Sequence, residues 1–163
     1  MITTTLNKIR KHDPCEKGWK KLLKHLGKTK ADNKPLPLVT ILKSNGLDDA
    51  LWCLRAVDGH DREMRLYAVA CARRVQHLMT DPRSINALDV AERHANGEAT
   101  DEELEAAWAA ALDARSAAGA SAWAATRAAA WAVSGVAAWS AARDAAGKAE
   151  RQWQIQEFKR RFG

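Results

Sequence analysis

Half of the residues between Leu104 and Ala149 are alanine, and Trp108, Trp123, Trp131 and Trp139 are set into that tract. Alanine has the highest helix propensity of any residue, and its methyl side chain lets helix backbones approach closely. Tryptophan is the bulky opposite, stabilising most when its ring is buried and its indole N–H finds a partner. The tract therefore points to closely packed helices with Trp at the seams. A single helix over the whole tract and the residues after it, about 60 in all, would run for roughly 90 Å, too long for a chain of 163 residues. Folds back are expected near Gly119 and Ser134-Gly135, where glycines interrupt the run. Nothing in the chain alternates with period two, which argues against strands.

The expected fold class is thus all-α, an array of about seven to nine helices with an Ala/Trp-rich C-terminal helical layer. One domain over 1–163 is expected, with lysine-rich helices in 1–47, central helices in 48–100 and Ala/Trp-rich helices in 101–163. Local signals place the elements. Thr5 caps a short helix through Leu6, Ile9 and Arg10. A helix over about Glu16 to Leu26 carries Trp19, Leu22, Leu23 and Leu26 on one stripe and ends at Gly27. Leu38, Ile41 and Leu42 mark a brief helix closed at Asn45-Gly46, and Asp48 reads as the cap of the next. Asp61 starts a longer helix with Leu66, Val69, Ala70, Val75 and Leu78 toward the core. Asp81-Pro82 restarts the chain with a capping carboxylate and a first-turn proline, and that helix stops at Asn96-Gly97. Thr100-Asp-Glu-Glu103 is a capping box. A final helix spans about Lys148 to Phe162, with Trp153 and Phe158 on its apolar side and Lys159-Arg160-Arg161 at its C-terminal end.

The net charge of +6 is unevenly placed. Residues 1–47 hold eleven Lys/Arg against three Asp/Glu, whereas 48–163 hold fifteen against seventeen. The basic character belongs to the first third, with Lys20, Lys21 and Lys24 at its centre. Such a field attracts acidic protein faces, nucleotides and nucleic acid, or simply solvates the chain. Cys15, Cys53 and Cys71 are odd in number and lack a CxxC pair, so a reducing, cytoplasmic setting is expected. No apolar run is long enough to span a membrane.

Catalytic motifs are absent: no glycine-rich phosphate loop, no GxSxG, no HExxH. Cys71, His77 and the Asp48/Asp49 pair are the only candidates for chemistry, and the expectation is that the protein is not an enzyme. Cys53, His60, Cys71 and His77 lack metal-ligand spacing, and no metal or cofactor is expected. The charged set Asp48, Asp49, Arg55, Arg65, Arg73 and Asp81 reads either as a polar site or as caps and interhelical salt bridges. Trp123 with Arg127, and Trp139 with Arg143, repeat sixteen residues apart. Each pair either stacks a base while the Arg holds a phosphate, or packs a Trp while the Arg reaches solvent.

Ser44-Asn-Gly-Leu-Asp-Asp-Ala-Leu-Trp-Cys-Leu-Arg55, with Lys20-Lys-Leu-Leu and Gly27-Lys-Thr-Lys-Ala-Asp32 before it, resembles an N-terminal segment of many phage proteins. Arg65-Leu-Tyr-Ala-Val-Ala-Cys-Ala-Arg73, Asp81-Pro-Arg-Ser84 and Ala91-Glu-Arg-His-Ala-Asn-Gly97 look like a wider bacterial and phage group. That group is all-helical and Ala/Trp-rich and is related to immunity proteins of polymorphic-toxin systems. The resemblance covers about residues 6–105 and implies partner-contacting roles for Asp81 and Arg83. The basic N-terminus departs from the acidic faces with which immunity proteins cover nuclease sites. The expected function is a non-enzymatic binding protein of a phage or mobile element that neutralises a host or toxin protein, as an anti-defence inhibitor or immunity protein does. The alternative is a module that sequesters a nucleotide signal or binds nucleic acid. Homo-oligomers are compatible with either.

Overall fold

The computed structural model describes residues 1–79, 81–117 and 148–163. The fold is all-α: eight α-helices among the described residues, two short 3-10 turns and one pair of two-residue strands. The chain forms two units, Met1–His60 with Phe158–Gly163, and Asp61–Glu157.

In the first unit, β1 (Thr3–Thr4) pairs antiparallel with β2 (Leu36–Pro37), Thr3 opposite Pro37 and Thr4 opposite Leu36. This pair is the exception to the strand-free reading, and two residues are too few to show a period. Backbone bonds extend it, the Leu38 N–H donating to the Ile2 carbonyl at 3.2 Å and the Ile2 N–H to the Phe162 carbonyl at 3.0 Å. The buried Thr4 hydroxyl donates to the Ala56 carbonyl.

Around this pair the helices are short. α1 (Leu6–Arg10) is capped by Thr5, whose hydroxyl accepts from the Lys8 N–H, and it buries Leu6 and Ile9. α2 (Glu16–His25) buries Trp19 and Leu22 and is followed by Gly27 at φ +63°. α3 (Leu38–Asn45) buries Leu38, Ile41 and Leu42. α4 (Leu47–Trp52) runs into a 3-10 turn, Cys53–Ala56. Only Gly46 separates α3 from α4, at φ +100° and ψ 178°, a conformation that glycine adopts without strain. The expected Asp48 cap is therefore displaced: Gly46 holds the cap position and Leu47 is drawn into the core. Asp48 and Asp49 fall in the first turn instead, where carboxylates suit the positive end of the helix. Phe158 and Phe162, one turn apart on the last helix, complete this core with ring centroids 4.6 Å apart. Each large apolar side chain so buried contributes roughly 1.5–3 kcal/mol.

The second unit holds α5 (Asp61–Arg73), a 3-10 turn (Gln76–Leu78), α6 (Pro82–Ala95), α7 (Asp101–Ala117) and α8 (Lys148–Phe162) as far as Glu157. α5 buries Met64, Tyr67, Ala68, Val69, Cys71 and Ala72. The expected stripe through Leu66, Ala70, Val75 and Leu78 is corrected here. The helix ends at Arg73, so Val75 and Leu78 cannot extend its face, and Leu78 is 46% exposed. Leu66 to Ala70 is apolar all round, so packing chose the face, and it turned Met64, Tyr67 and Val69 inward together with the small residues Ala68, Cys71 and Ala72. The buried Tyr67 hydroxyl donates to the Gln154 carbonyl at 3.3 Å.

α6 opens on Asp81 with Pro82 in its first turn and buries Ala87, Leu88, Val90 and Ala91. α7 opens on the capping box: the Thr100 N–H donates to Glu103 at 2.8 Å, and the Glu103 N–H donates to the Thr100 hydroxyl at 3.2 Å. Its buried residues Ala107 and Ala111 are four apart on one face. α6 and α7 form the most extensive helix pair among the described residues, as expected where alanine faces meet. Trp108, expected at a seam, is 40% exposed on α7. Gly119, Trp123, Trp131, Ser134-Gly135 and Trp139 lie outside the described residues.

Candidate binding face

Lys17, Lys21 and Lys24 are exposed on α2. Their i, i+4 and i+7 spacing puts them within roughly 60° on one side of the helix, a ridge about 10 Å long. Trp19 and Leu22, buried on the same helix, lie on the opposite side. The division follows from the sequence: a ten-residue amphipathic helix buries its apolar stripe and leaves the other face in water. Lys20, beside the ridge, is held by Glu16 at 2.6 Å. Among the described residues, Lys17, Lys21 and Lys24 have no carboxylate within ion-pairing distance.

The arginines of the second unit are arranged differently. Arg73 pairs with Asp89 at 2.6 Å and Glu92 at 3.0 Å. Arg74 pairs with Glu150 at 3.0 Å and lies over the Trp153 ring. Arg93 reaches Glu103 at 3.2 Å, and Arg83 grips Asp81 at 2.7 Å. These cations are taken up by carboxylates of the same unit, whereas the α2 ridge meets no carboxylate among the described residues. A local positive field persists only where such partners are missing.

Of the residues singled out from the sequence, Lys21 and Lys24 fall on the ridge and Lys20 at its edge. Lys17 was not among them, although its spacing to Lys21 and Lys24 was legible. Asp81 caps α6 and binds Arg83, and that bond holds its carboxyl below the ordinary value of 3.8. Trp123, Arg127, Trp139 and Arg143 lie outside the described residues. Arg55 lies over the Trp52 ring, 4.4 Å from its centroid. Arg65 is half-buried, and that desolvation lowers its pKa. The Arg73 and Asp81 contacts are the interhelical salt bridges and caps of the simpler reading.

Asp48 is exposed and Asp49 half-buried; adjacent residues on a helix do not face each other. Cys71 is buried beside the Tyr67 hydroxyl, whereas His77 is exposed on its 3-10 turn. Among the described residues, no three His, Cys, Asp or Glu side chains are grouped to hold a metal ion. No helix among them is long and apolar enough to cross a membrane.

No protein-family model, curated protein or solved structure matches this chain.

Proposed function

We propose that the protein is a non-enzymatic binding protein that takes hold of an acidic face on a partner protein through the lysine ridge of α2. The carrying observation is that ridge: three exposed ammonium groups on one rigid helix face without carboxylate partners among the described residues. Complementary charge across such a face steers encounter and fixes orientation. Neutralising the partner it covers, as an inhibitor or immunity-type protein does, is the form of this activity that the sequence resemblance favours. A protein surface suits the ridge better than a nucleic acid. Trp19 on the same helix is buried, so the ridge offers a nucleic acid charge but no aromatic face for stacking its bases.

A fluorescent Glu-rich peptide at low salt tests the reading. The variant Lys17→Gln/Lys21→Gln/Lys24→Gln is compared with Lys11→Gln/Lys30→Gln/Lys43→Gln, which carries the same net charge. The ridge variant is expected to lose about tenfold in affinity or more and the control much less. Equal losses would reduce the ridge to general basicity and overturn the proposal. Tighter, ridge-dependent binding of a single-stranded oligonucleotide would replace it with the nucleic-acid reading.

A further inference from the structure

On the opposite side of α2 from the ridge, the first unit holds a partly open cavity of about 100 Å³. Trp19, Ile41 and Trp52 supply apolar wall, and Asn45 and Asp49 supply the polar groups. The Asn45 amide donates to Asp49 Oδ2 at 2.7 Å and to the Gly18 carbonyl at 2.9 Å. That arrangement holds the carboxylate of α4 against α2. Gly18 makes room for it: a Cβ there would stand 2.8 Å from Asp49 Oδ2 and 3.1 Å from Cys15 Sγ. Glycine inside a helix costs about 1 kcal/mol relative to alanine, so this position gives up helix stability to admit a carboxylate.

The Asn45 amide and the first turn of α4 meet that carboxylate, but no cation among the described residues does. Among the described residues Asp49 has no ion-pair partner, although the unit around it is rich in lysine. Two arginines of this unit are engaged by the wall's own tryptophans: Arg55 lies over Trp52 and Arg10 over Trp19, 5.4 Å from its centroid. The ridge lysines project from the far side of α2, about a helix diameter away. Cys53, also in the wall, is buried, and its thiol is pushed up to about 12, so it carries no charge at neutral pH. A half-buried, unpaired carboxylate in an aromatic and aliphatic wall is complementary to a cation with a short apolar body.

We infer that this cavity binds a small primary alkylammonium group, the ammonium on Asp49 and the alkyl chain against Trp19, Ile41 and Trp52. Its volume is somewhat below that of a cavity that accepts benzene, so a chain of about four carbons fits. With so few atoms to bind, the dissociation constant is expected on the order of millimolar.

The test is a titration at constant ionic strength with n-butylammonium and, in parallel, neutral 1-butanol, followed by amide and indole N–H chemical shifts. Saturable shifts at Gly18, Asn45 and the Trp19 and Trp52 indoles are expected with n-butylammonium, and binding of 1-butanol about tenfold weaker or more. Asp49→Asn, which keeps the side-chain shape, is expected to remove that preference. Gly18→Ala, which pushes the carboxylate aside, serves the same purpose should the first variant fail to fold. Equal binding of alcohol and ammonium, or shifts spread over carboxylates elsewhere, would overturn the inference. The wild-type comparison decides it without any variant, and it is independent of the α2 ridge.

Discussion

Asp81 accepts the backbone N–H of Arg83 at 2.9 Å and, through both carboxylate oxygens, the Arg83 guanidinium, with the shortest contact at 2.7 Å. One residue therefore starts α6 and orients a cation two positions on. Asp81→Ala removes both functions and is expected to lower the melting temperature by a few degrees, whereas Arg83→Gln leaves the cap and lowers it less. Thermal melts followed by circular dichroism measure both. Equal losses would show that the ion pair, not the cap, carries the effect.

The same carboxyl sets a pH dependence. Its pKa is lowered in the fold, first by the Arg83 side-chain bond, and Asp58 is lowered likewise by Lys8. A depressed carboxyl contributes stability that is present above its unfolded value, ordinarily 3.8, and lost as pH falls through the folded value. Urea midpoints are expected to hold from neutral pH to about pH 5 and to drop below about pH 4. In Asp58→Asn/Asp81→Asn that acid-side drop is expected to be shallower.

The capping box of α7 is a separate device. Thr100→Ala deletes the hydroxyl that accepts the Glu103 N–H and is expected to cost about 1 kcal/mol. Chemical denaturation would report it as a lower midpoint with an unchanged slope.

Gly46 joins two helices through one residue at φ +100°. A Cβ at that position meets no neighbour within 4 Å, so the penalty for Gly46→Ala is backbone strain, about 1–2 kcal/mol. Gly18→Ala is the contrasting case, since its Cβ meets the Asp49 carboxylate. Paired denaturation curves separate the two: strain at 46, steric displacement offset by a gain in helix propensity at 18.

The three thiols should differ in reactivity. Cys15 is exposed, while Cys53 and Cys71 are buried, and burial raises the Cys53 thiol to about 12. Alkylation of the folded protein at pH 8, read by intact mass, is expected to modify one site rapidly and the other two only in denaturant. Rapid modification of all three would mean that the cores open readily.

Much of the helical framework was legible because its signals are local. Thr5, Asp81-Pro82 and Thr100-Glu103 each declare a helix start within four residues, and Gly27 and Gly97 each follow a helix end. What escaped was non-local. The pairing of Thr4 with Leu36 joins segments too short to alternate. The face that α5 buries depends on which small residues its neighbour can approach. The exposed half of α2 was visible in the lysine spacing, but the place of Asp49 rests on a missing side chain at Gly18, thirty-one residues earlier.

The bond from the Ile2 amide to the Phe162 carbonyl bears on how the chain is made. On the ribosome, the first sixty residues must wait for Phe158 and Phe162 to emerge before their core can close, so this half of the molecule finishes last although it is synthesised first. Meanwhile its apolar segments lack those two rings, and the many lysines between them give the nascent chain like charges that oppose association.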